Sequence, residues 1–109
     1  MMFTRRVVMV GVVLMFTTYL DCARAAENVE VKISNFTFNP AEITIHVGDT
    51  VTFKNEDDIP HSVVGKDGSF KLKVMDTNET RINTFITAGE FGFFCGLHPH
   101  MVGKVIVTP

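Results

Sequence analysis

The 109-residue sequence has no tryptophan, one tyrosine and only two cysteines. Two cysteines allow one disulfide at most, which excludes a small domain stapled by several bridges. No window offers a long apolar repeat at the 3.6-residue period, so helix content is expected to be low. No apolar run reaches the ~18–20 residues of a membrane-crossing helix; the longest, Val7 to Leu20, is about 14. Internal repeats, low-complexity tracts and long linkers are also missing, so a second domain is excluded. What remains is 46% hydrophobic, enough for one small domain with an ordinary core.

Part of that hydrophobicity sits in MMFTRRVVMVGVVLMFTTYLDCARAAE. Arg5 and Arg6, the apolar run and the tripeptide Ala23-Arg24-Ala25 form the three regions of a secretory signal peptide. Residues 1–25 are therefore expected to be removed during export to the periplasm, leaving 26–109 as one domain with no stable membrane insertion. Thr4-Arg5-Arg6 would also suit twin-arginine export. Cys22 as a lipidated N-terminus is disfavoured, because Asp21 stands where such sites want a small residue.

Cleavage takes three of ten basic residues (Arg5, Arg6, Arg24) and one of twelve acidic ones (Asp21), leaving seven against eleven, net −4. A mildly acidic chain without a basic patch excludes nucleic acid as a natural partner. Cleavage also leaves Cys95 alone. In an oxidising compartment, where cysteines usually pair, a solitary thiol is a buried filler, a reactive group or a metal ligand.

From Asn28 onward the pattern is β. Val29, Val31 and Ile33 alternate with Glu30, Lys32 and Ser34, and Ile43, Ile45 and Val47 with Glu42, Thr44 and His46. Further strands are expected from Val51 to Phe53, His61 to Val64, Ile82 to Ile86, Phe91 to Cys95 and Lys104 to Val107. Between Ile82 and Ile86 neither face is cleanly apolar. Short strands divided by Gly, Pro and Asn turns predict an all-β, Greek-key antiparallel sandwich or barrel.

Cys95, His98 and Met101 are spaced C-x-x-H-x-x-M within FFCGLHPHMVGK. Gly96 and Pro99 rule out a helix, and the flanking patterns are strands, so the stretch reads as a short loop curled around one centre. One loop rarely surrounds an ion; the fourth donor is then His46 or His61. His46 alternates with Ile45 and Val47 and points off the core face. His61 follows Ile59-Pro60 at one end of the sandwich, where a loop from another hairpin can meet it. The set His61, Cys95, His98 and Met101 offers two imidazoles, a thiolate and a thioether. Soft sulfur disfavours Mg²⁺ and Ca²⁺, and structural zinc takes more thiolates. A His₂Cys plane with a weak axial Met suits one copper ion cycling between Cu(I) and Cu(II).

With IPHSVV, DGSF, DTNET and AGEFGFFCGLHPHMVGKVIV, the expected mature region resembles the cupredoxin (blue copper) family, particularly its amicyanin-like and plastocyanin-like members. The resemblance implies His61, Cys95 and His98 as equatorial ligands, Met101 as the axial one, and an electron-carrying role. Members commonly have Asn after the first histidine and Thr or Ser after the cysteine, whose side chains tie the two ligand loops together. Here Ser62 and Gly96 stand there, so that tie is expected to be absent or to rely on backbone groups. In relatives the loop histidine, here His98, meets partners through an apolar patch; Leu97, Pro99 and Ile59 could supply it. His100 is expected to face outward.

The expected function is a monomeric, exported one-electron carrier serving redox proteins such as a c-type cytochrome or a dehydrogenase, with Glu56-Asp57-Asp58 steering a cationic partner. The alternative is a periplasmic protein that buffers or delivers copper. An enzyme using Cys95 and His98 as nucleophile and base is not expected, because it would leave His61 and Met101 without roles.

Overall fold

Where Val31, Ile33, Val51 and Phe53 point inward, their neighbours Glu30, Lys32, Thr52 and Lys54 point out, and this alternation defines strands buried on one face. The computed structural model describes residues 24–109. The expected signal peptide therefore lies outside the described residues apart from Arg24 and Ala25. Eight strands follow: β1 (Asn28–Ser34), β2 (Thr37–Asn39), β3 (Glu42–His46), β4 (Thr50–Asn55), β5 (Val64–Gly65), β6 (Thr80–Thr84), β7 (Gly89–Cys95) and β8 (His98–Thr108). They form two four-stranded sheets, ordered β2-β1-β4-β6 and β3-β8-β7-β5, and the described residues include no helix.

The all-β sandwich holds, but its sheets are mixed: β1 pairs β4 and β3 pairs β8 in parallel, and the other pairings are antiparallel. Hairpins force antiparallel neighbours, whereas strands joined through the opposite sheet can meet in either direction. Alternation within one strand carries no information about that choice. The β6 register is decided by packing. Arg81 and Asn83 take the half-buried face and Phe85 is buried against Phe70 and Phe91, while Ile82 and Ile86 are 60% and 75% exposed.

The inner faces meet around Phe93, which packs edge-on against Phe38 and Phe53. Gly103 on β8 lies so close that a Cβ there would stand 2.4 Å from the Phe93 ring, so this glycine serves close approach rather than a turn. At one end of the sandwich, β7 turns through Gly96-Leu97 into β8, and Cys95 pairs with His98 across a register shift. β8 therefore starts at His98, well before the expected Lys104, and Cys95, His98 and Met101 of FFCGLHPHMVGK lie in a tight β-hairpin rather than in the expected short loop between strands. The predicted strand at His61 shrinks to β5; His61 itself makes only an isolated bridge to Met75.

Candidate metal centre

β4 ends in Asn55, a polar residue on the inward face and fully buried. Burial of an amide is tolerable only if it is fully hydrogen-bonded. Asn55 Nδ2 donates to the Ile59 and Met75 carbonyls at 2.8 and 3.0 Å, and its Oδ1 accepts the Asp57 N–H at 2.9 Å. This side chain thus shapes the loop that carries His61. Paired backbone bonds then lock His61 to Met75: N–H to carbonyl 3.1 Å one way and 2.8 Å the other.

His61 is fully buried with its two ring nitrogens differently engaged. Nε2 lies 2.8 Å from Asp57 Oδ2, so it carries the proton, and Nδ1 keeps its lone pair and faces Cys95 Sγ at 3.6 Å. His98 Nδ1 also faces that sulfur, at 3.8 Å. All three donor atoms lie within 4.8 Å of one another. A metal with bonds of ~2.0 Å to nitrogen and ~2.3 Å to sulfur spans neighbouring N and S donors by roughly 3.6 to 3.8 Å, so the three side chains fit a bound ion. A buried thiolate with two imidazoles is the donor set of copper rather than of a hard cation. Met101 is buried on β8, three residues beyond His98. His46 lies exposed elsewhere, at the end of β3, and His100 is exposed as expected.

The tie between the ligand loops exists. Ser62 Oγ accepts the Gly96 N–H at 2.9 Å, and the Ser62 N–H donates to Cys95 Sγ at 3.3 Å. The link uses the serine side chain on one side and the backbone on the other, the second of the two expected outcomes. An N–H aimed at the sulfur is one of the outer contacts that orient ligands and tune a bound metal.

Asp57 does not behave as a solvated member of an acidic run. Burial opposes its ionisation, but the Phe36 N–H, the His61 Nε2–H and the Asn35 N–H outweigh that and hold its carboxyl below the ordinary value. Sequence reasoning missed this residue because it sees four positions of spacing to His61, not the turn that brings the carboxylate to the Nε2 edge of the ring. Glu56 pairs loosely with Lys54 at 3.9 Å, and Asp58 stays exposed.

The Cupredoxin-like domain family matches residues 6–107. Amicyanin from Paracoccus versutus is 37% identical over 87 residues, covering 75% of this chain and 66% of the relative. A chloroplastic plastocyanin from Tetradesmus obliquus is 37% identical over 83 residues, covering 64% and 57%. The chain thus spans just under two thirds of the first relative's length and less of the second's. Among solved structures, a purple cupredoxin from Nitrosopumilus maritimus superposes with a TM-score of 0.69 at 26% identity, covering 73% of this chain and 99% of that one. Two mixed sheets closing on a His, Cys and His cluster, and a family match that runs nearly the whole chain, agree: this protein belongs to the cupredoxin-like family, with copper as its cofactor.

Proposed function

We propose that the chain is an exported one-electron carrier holding one copper ion among His61 Nδ1, Cys95 Sγ and His98 Nδ1, with Met101 as a fourth, weaker ligand. The observation that carries this is the convergence of two imidazole nitrogens on a buried thiol. Copper supplies a one-electron couple. The protein's part is to keep the donors still, because a carrier whose ligands move little between oxidation states transfers electrons with little reorganisation. Strand β7 fixes Cys95, β8 fixes His98 and Met101, and the Asn55 and Met75 bonds fix His61. With amicyanin and plastocyanin as relatives, the protein is not an enzyme.

Export rests on the sequence of residues 1–25, and removal after Ala25 would leave a periplasmic domain of residues 26–109. A redox protein is the partner; a c-type cytochrome or a dehydrogenase fits a monomeric carrier. His98 is half-buried, with Leu97 49% exposed beside it and Pro99 exposed, which suits electron exchange through an apolar contact.

An optical and EPR spectrum of the copper-loaded domain, with a voltammetric sweep, tests the assignment. The expected outcome is an intense visible thiolate-to-copper band and reversible one-electron cycling, with the band abolished in Cys95→Ser. A colourless copper complex would remove the assignment, and rapid surrender of copper to a chelator without reversible cycling would favour delivery over electron transfer.

A further inference from the structure

The turn between β1 and β2 places two successive non-glycine residues in the left-handed region, Asn35 at φ 53° and Phe36 at φ 59°. Asparagine tolerates that conformation; a phenylalanine there is unfavourable, and glycine or asparagine would suit the backbone better. Phe36 is also 53% exposed, so burying its ring in the core does not explain it. Its surroundings do. The ring stands edge-on to both imidazoles of the metal centre, with centroids 5.8 Å from His61 at 86° and 5.3 Å from His98 at 84°.

One carboxylate arranges this. Asp57 Oδ1 accepts the Asn35 N–H at 2.7 Å, and Oδ2 accepts both the Phe36 N–H at 3.0 Å and the His61 Nε2–H at 2.8 Å. Asp57 is itself held by Asn55 Oδ1 on its N–H and by the Thr77 hydroxyl on its carbonyl. The two histidines are therefore supported unequally. His61 has a hydrogen bond to Asp57, whereas among the described residues His98 Nε2 has no hydrogen-bond partner. Aromatic edge-to-face contact is what His98 receives instead, and such pairs are attractive beyond their area.

We propose that Phe36 is a positioning residue for His98: fixed in its left-handed turn by Asp57, its ring keeps the His98 imidazole turned toward Cys95 and limits its rotation into solvent. Asp57 thereby braces both histidines, one directly and one through Phe36. This rests on the assignment of His61, Cys95 and His98 as the ligand set.

The test compares wild type with Phe36→Gly, which suits the left-handed backbone, and Phe36→Tyr, which keeps a ring. Copper(I) is the probe: its rate of transfer to a chelator at fixed pH, and line broadening of the His98 ring resonances in the diamagnetic Cu(I) protein. Phe36→Gly is expected to keep or raise the unfolding temperature, to release Cu(I) about tenfold faster, and to broaden His98 while His61 stays sharp. Phe36→Tyr is expected to restore near wild-type behaviour. A purely structural role would move the unfolding temperature and leave the His98 resonances alone. If Phe36→Gly matches wild type in both release rate and line shape, the positioning role is overturned. If wild type lacks the thiolate band, the ligand assignment falls instead, and this role with it.

Discussion

At Gly96 the absence of a side chain is what permits the bond between the ligand loops. A Cβ there would come 2.8 Å from Ser62 Oγ, the same atom that accepts the Gly96 N–H. An alanine must push that buried hydroxyl away and break the bond it makes, so Gly96→Ala is expected to destabilise the metal-free protein by about 1–2 kcal/mol. Ser62→Ala removes both the clash and the bond. In that background Gly96→Ala should cost only a few tenths, giving a coupling energy of about 1 kcal/mol in a double-mutant cycle read by urea unfolding. Additive losses would mean the two residues do not interact. The identity of Ser62 and Gly96 was visible in the sequence, but not which would provide an oxygen and which a backbone N–H. That depends on a 2.9 Å approach between two loop residues 34 positions apart in the chain.

At the scale of an element, the β3–β4 turn is organised by Asp49, which is only 1% exposed. Arg24 reaches its two oxygens at 3.2 and 3.3 Å, and the Glu27 and His46 N–H groups each donate at 2.9 Å. Arg24, then Glu27 and His46, hold its carboxyl far below the ordinary carboxylate value. A carboxyl depressed in the folded state contributes stability that is present above the unfolded value near 3.8 and is lost as pH falls toward the folded value. Melting temperature is thus expected to fall as pH drops from about 5 to 2, and this acid limb should flatten in Asp49→Asn. A chain beginning at Ala26, as cleavage after Ala25 would produce, lacks Arg24 and should show a shallower limb than one beginning at Arg24. Equal limbs in both chains would show that Arg24 contributes nothing. In the sequence Gly48-Asp49 carries only a turn signal. Two of the carboxylate's partners, Arg24 and Glu27, come from the segment before β1, which no local pattern reports.

For the whole molecule, a domain of about 84 residues, as removal after Ala25 would leave, with Cys95 as its single cysteine is small for a two-sheet sandwich, and ligand binding to the folded state adds directly to its stability. Copper held at 100 times its dissociation constant contributes about 2.7 kcal/mol, an increase of about 10–20 °C in melting temperature for a domain of this size. Calorimetry with and without copper should show that increment, and Cys95→Ser should lose most of it; an equal increment in the variant would move the ion to another site. The sequence by itself determined the all-β class, the inward faces of β1, β3 and β4, and the C-x-x-H-x-x-M run of Cys95, His98 and Met101. Each depends on residue identity at a period of two or at fixed spacing along one segment. Only the tertiary structure decided the parallel pairing of β1 with β4 and of β3 with β8, the outward isoleucines of β6, and the binding of Asp57 to His61. The same holds for the edge-to-face contact of Phe36 with both imidazoles. Those features arise where segments distant in sequence close on each other, and their energies come from contacts that exist only after the sheets have packed.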